Sequence, residues 1–169
     1  MPADDMIAAA RELLDLCKHK KLTLATAESC TGGLLAATLT EIPGSSRVID
    51  RAFVSYSNAA KQAMLGVKPV TLETHGAVSR ETAEAMAKGA LAQSSVDLAI
   101  SITGIAGPTG AQPGKPIGLV HFAVASRSGR LAHQERRFGD IGRSEVRNQS
   151  VLQALAMLRD IAEKEQANL

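Results

Sequence analysis

Apolar positions first recur at helical spacing between about Ala3 and Lys18, where Met6, Ile7, Ala10, Leu13, Leu14 and Cys17 share one face. A short β-prone run follows, Leu22 to Ala27 (LTLATA), and meets Glu28-Ser29-Cys30-Thr31-Gly32-Gly33 directly. The next segment, LLAATLT, reads as helix. Strand, tight glycine turn and helix in that order are the local signature of an α/β protein. Pro43, Gly44, Ser45 and Ser46 form a loop, and Arg51 to Tyr56 (RAFVSY) predicts a second strand. Asn58 caps a short helix that Gly66 ends. Ser79 caps a longer one, Arg80 to about Gln93, with Glu81 and Glu84 near its positive end.

Asp97 to Thr103 (DLAISIT) predicts a buried strand. Residues 104–116, GIAGPTGAQPGKP, hold four Gly and three Pro, so no regular element survives there. Ile117 to Ser126 and Leu131 to Phe138 read as two strands joined by a hairpin turn at Arg127-Ser128-Gly129-Arg130. The last helix runs from about Arg143 to Lys164, with Val151, Leu155, Leu158 and Ile161 on its apolar side. This order predicts an α/β fold: a three-layer sandwich with a mixed, mostly parallel sheet flanked by helices. Residues 1–169 are expected to form a single domain.

Composition narrows the function classes. Only 2% of residues are aromatic, so the core must be built from Ala, Leu, Ile and Val, and stacking platforms for nucleic-acid bases are missing. With 19 basic and 17 acidic residues, the net charge of +2 supplies no general field for nucleic acid or an anionic membrane. The two cysteines, Cys17 and Cys30, make neither a disulfide framework nor a CxxC pair, and are expected to be reduced. MPADDMIAAARELL lacks a basic segment before an apolar run, which argues against a signal peptide. No run of about 18 apolar residues is present. A soluble, cytoplasmic protein is expected.

Four segments carry candidate chemistry. In Glu28 to Gly33, glycines open a helix whose backbone N–H groups favour an anion or a developing oxyanion, and Ser29, Cys30 and Thr31 stand side by side as nucleophiles. Read alone, the same residues are better explained by a helix cap and a turn. The segment is neither a Walker A loop nor GxSxG. In the second, the chain's one Tyr, Tyr56, ends a strand, and Lys61 follows five residues later at a helix start. A desolvated Lys61 could serve as a base toward a hydroxyl; a solvated helix lysine is the ordinary alternative.

In the third, Ser101 and Thr103 point to one face of a strand that runs through Gly104 into the Gly/Pro loop, at the strand end where open α/β sheets bind ligands. Hydroxyls bonded to backbone within the sheet are the plain alternative. In the fourth, Arg143 and Arg147 lie on one helix face and suit carboxylate or phosphate. The histidines, His19, His75, His121 and His133, show no metal-ligand spacing, and no metal site is expected.

Together these pieces resemble the nicotinamide-nucleotide amidases, also called the CinA C-terminal domain family, from about Leu13 to Leu158. The matching blocks are TAESCTGGL, GSS, FVSYSNAAKQAMLGV, HGAVS, ISITGIAGPTG, KPIGLV and GRSEVR. Each is weak alone; in this order they are specific. The resemblance implies a stand-alone bacterial amidase that converts nicotinamide mononucleotide to nicotinate mononucleotide and ammonia, without cofactor or metal. It makes Ser29 the nucleophile, Lys61 the base, and Tyr56, Thr103 and Arg143 supporting polar residues. Glu28, Thr31, Gly32, Gly33, Ser101, Gly104 and Arg147 complete the expected substrate-binding set. One departure is Ala111, where the family's loop often carries a second Gly. A homodimer is expected, with no nucleic-acid or membrane partner. Two other readings stay open: a non-catalytic nucleotide- or phosphate-binding regulatory module, and an enzyme using Cys30.

Overall fold

Among residues 2–169, which the computed structural model describes, the periodicity becomes six α-helices and five strands. These are α1 (Asp4–Lys20), β1 (Leu24–Glu28), α2 (Leu34–Thr40), β2 (Ile49–Val54), α3 (Asn58–Leu65) and α4 (Pro69–His75). They continue with α5 (Arg80–Ala92), β3 (Leu98–Gly104), β4 (Leu119–Ser126), β5 (Leu131–Arg137) and α6 (Arg143–Lys164). The sheet order is β2-β1-β3-β4-β5. β1 pairs parallel with both neighbours, while β4 runs antiparallel to β3 and β5. The chain leaves β1 through α2 on one face and reaches β3 through α3, α4 and α5 on the other. That reversal opens a crevice at the carboxyl ends of β1 and β3.

The two faces of the sheet are built from different side chains. One face presents Leu98, Ile100, Ile102 and Phe122 to the apolar stripes of α1 and α6. The other presents Ala27, Ala99, Ala123 and Ala125 to the alanines and Met86 of α5. Small side chains let α5 lie close to the sheet. On its other side α5 lies close to α3: an added Cβ at Gly89 would lie 2.0 Å from the Leu65 carbonyl oxygen. Gly89→Ala is therefore expected to destabilise by about 1–3 kcal/mol, despite alanine's better helix propensity. Urea unfolding checks this; an unchanged or raised midpoint would contradict the close approach.

Three local details differ from the sequence reading. β2 spans Ile49–Val54, so Ser55 and Tyr56 have already left the strand. Ser57, not Asn58, caps α3: its Oγ accepts the Ala60 N–H at 3.0 Å. α4 was not predicted at all. It is only seven residues long, and its one sequence signal is Pro69 at the first helical position.

Candidate active site

Three strand ends meet in the crevice. Ser29 follows β1 and donates its N–H to the Ile102 carbonyl at 2.9 Å, extending the β1–β3 ladder by one step. The Ser55 N–H does the same toward the Glu28 carbonyl, also at 2.9 Å. The chain then turns sharply through Gly32 (φ 58°) and Gly33 (φ 98°), a backbone shape that disfavours side chains. The Gly32 N–H is used inside this turn, donating to the Ser29 carbonyl at 3.0 Å. The N–H groups of Cys30, Thr31 and Gly33 find no carbonyl acceptor among the described residues.

Lys61 enters from α3. It is 1% exposed, which sets aside the solvated-lysine alternative. Its Nζ lies 3.0 Å from Ser29 Oγ, 2.9 Å from the Ser55 carbonyl oxygen and 3.4 Å from that of Tyr56. All three partners are uncharged, and burial lowers the amine's pKa from its ordinary value. A neutral amine has two hydrogens and one lone pair. The carbonyls can only accept, so they take the hydrogens and leave the lone pair for the Ser29 hydroxyl. The early end of β2 matters here, because it frees these two carbonyls from the sheet.

Around the pair lies a cavity of about 310 Å³. Ser29, Cys30 and Lys61 line it at the base, with Thr103 and the Gly104–Gly110 loop on one wall. Thr103 Oγ1 donates to the Ala77 carbonyl at 2.7 Å, which pins the 76–79 turn to that wall. At the mouth, Arg143 donates to the Gly107 carbonyl at 2.9 Å and to the Tyr56 hydroxyl at 2.8 Å. Tyr56 is 59% exposed there, an open rim residue rather than a buried anchor. A larger groove of about 670 Å³ between α3, α4 and α5 holds no comparable pair of nucleophile and base.

Residues 7–162 match the family model described as the CinA C-terminal domain. The chain belongs to the CinA C-terminal domain family. Relatives include a competence-damage inducible protein of Acetivibrio thermocellus, 49% identical over 151 residues, and a CinA-like protein of Leptospira borgpetersenii, 50% identical over 127. These alignments cover 89% and 75% of this chain but only 35% and 30% of those proteins. The chain thus spans about a third of the length of the curated relatives it matches. The crystal structure of the competence/damage inducible protein CihA of Agrobacterium tumefaciens superposes with a TM-score of 0.93 at 51% identity, covering 98% of this chain and 99% of that one. A CinA superfamily protein of Escherichia coli superposes at 0.87 with 33% identity, covering 96% and 94%.

Within this CinA domain the expected site residues divide. Ser29, Tyr56, Lys61, Thr103, Gly104 and Arg143 line the cavity. Glu28, Thr31 and Ser101 do not: each is fully buried behind it. Their side chains are spent on the protein itself. Ser101 Oγ donates to the Ala83 carbonyl at 2.5 Å, and Thr31 Oγ1 to Glu28 at 2.7 Å. Arg147, expected to hold an anion, instead donates to the Thr31 carbonyl at 3.0 Å beside Gly32, off the cavity lining. Gly32 and Gly33 likewise shape the turn and do not line the wall. The sequence reading missed Ala77, Val78 and Thr109 as wall residues. Their only signals were the HGAVS block for Ala77 and Val78 and the ISITGIAGPTG block for Thr109.

Cys30 lines the cavity, but burial pushes its thiol up to about 12, so almost none is thiolate at neutral pH. No histidine lines the cavity to activate it. Cys30→Ala is expected to keep turnover within about threefold of wild type; loss of activity would restore Cys30 as a nucleophile candidate. Among the described residues no cluster of three His, Cys, Asp or Glu side chains could hold a metal ion, and no helix is long and apolar enough to cross a membrane.

Proposed function

We propose that this chain is an amidohydrolase that converts the carboxamide of nicotinamide mononucleotide to the acid, releasing ammonia. The observation carrying this reading is the buried Lys61 Nζ at 3.0 Å from Ser29 Oγ, with its other partners both carbonyls. A phosphate-holding module has no use for a lysine buried against a serine hydroxyl and two carbonyls. Ser29 Oγ attacks the carboxamide carbon while Lys61 takes the hydroxyl proton. The developing oxyanion is held by the free main-chain N–H group of Cys30, which lines the cavity. The C–N bond breaks, and Lys61 returns its proton to the departing ammonia. Water, deprotonated by the same amine, then attacks the acyl ester; the bond to Ser29 Oγ breaks, Lys61 hands the proton to Oγ, and the acid is freed. Arg143, at the cavity mouth, is the residue placed to take the phosphate.

Ammonia release across nicotinamide, its riboside and its mononucleotide tests this reading, and selectivity for the mononucleotide is expected. Silence with all three would refute it. The lowered pKa of Lys61 sets the pH dependence. The reactive form is the neutral amine, so the rate falls as pH drops through that pKa and levels off above it. A rate constant from pH 9 to pH 5 would remove Lys61 as the base.

A further inference from the structure

Glu28 is the last residue of β1 and is 0% exposed. Its carboxylate accepts four hydrogen bonds. Oε1 receives the Thr31 hydroxyl at 2.7 Å and the Leu35 N–H at 3.0 Å. Oε2 receives the Ala36 N–H at 3.0 Å and the Thr26 hydroxyl at 3.3 Å. Leu35 and Ala36 are the second and third residues of α2, whose own cap position is Gly33, without a side chain. Glu28 therefore does from the strand what an N-cap side chain does from the helix. One carboxylate ties the strand before Ser29, the turn at Thr31 and the helix after Gly33 into a single unit. Between its fixed points lie the Ser29 hydroxyl and the free N–H groups of Cys30 and Thr31.

We propose that Glu28 is a positioning residue, holding the Ser29–Gly33 turn in the shape from which the Ser29 hydroxyl and the free Cys30 N–H act together on a substrate carbonyl. The inference rests on the amidase reading but makes its own claim: Glu28 acts through the turn and touches no substrate. Glu28→Gln keeps the size and presents an NH₂ where two donors need an acceptor. Donor then faces donor at one end of the side chain, and the turn loosens.

The test measures Glu28→Gln and the milder Thr31→Val, below their unfolding temperatures. Steady-state ammonia release is read first, and then the rate at which a fluorophosphonate labels Ser29. For Glu28→Gln, kcat is expected to fall by about tenfold or more, with KM within about threefold and the midpoint of the pH profile unmoved. Labelling slows in parallel. Thr31→Val falls less, and the double variant is no worse than Glu28→Gln alone. Unchanged kcat and labelling with only a lower Tm would leave Glu28 a purely structural cap. A raised KM at constant kcat would make it a substrate contact. Either outcome overturns the proposal. Should wild type release no ammonia, the amidase reading fails, and the labelling rates still decide the role of Glu28. A wild-type Ser29 that takes no label overturns both.

Discussion

Ser29→Ala is expected to lower ammonia release from nicotinamide mononucleotide by about 10³-fold or more, while leaving affinity for the nucleotide within about threefold. The substitution removes one oxygen from a residue whose structural work is done by its main chain. The N–H bond to Ile102 and the carbonyl bond from Gly32 survive it. The variant should thus fold as wild type does and keep the cavity, so lost turnover reports chemistry alone. Calorimetric binding beside an ammonia assay separates the two. If Ser29→Ala turned over normally, no covalent serine mechanism would remain.

The second large effect is at Lys61, where two substitutions discriminate the role of the amine. Lys61→Met removes lone pair and donors together, and a loss of about 10²–10⁴-fold in kcat is expected for a missing acid–base group. Lys61→Arg keeps donors for the Ser55 and Tyr56 carbonyls but never offers a lone pair. It should be as inactive as Lys61→Met. Were Lys61 only a positive brace for Ser29, arginine would restore much of the rate, and the pH profile would lose its acid limb in neither protein. Circular dichroism and thermal melts on both variants confirm that the folded state is being compared. These outcomes and those at Glu28 are linked through one turn but have different signatures: Lys61 variants abolish the pH dependence, whereas Glu28→Gln leaves its midpoint in place.

Family membership bears on these expectations only in part. The sequence and fold relatives establish the CinA C-terminal domain over residues 7–162. The reaction itself rests on the arrangement of Ser29, Lys61 and the open Cys30 amide. The curated relatives are about three times longer than the region they share with this chain, so what they do as whole proteins is a separate matter.

Local order was readable from residues close in the chain. The 3.6-residue spacing in α1 and α6, the Ser79 cap, the Gly66 stop and the apolar run of β3 depend on near neighbours, and each appears where its pattern places it. α4 escaped because seven residues give too little periodicity to rise above a loop. The alignment of Ser29 with Lys61, by contrast, spans 32 positions of sequence. It exists because β1 and β2 lie side by side and end at the same level. Whether a lysine is solvated or stripped of water, and whether a glutamate meets a ligand or four donors of its own chain, depends on what packs around it. Burial is a property of the assembled layers, so the fates of Lys61 and Glu28 appeared only once α2, α3 and the sheet had closed on them.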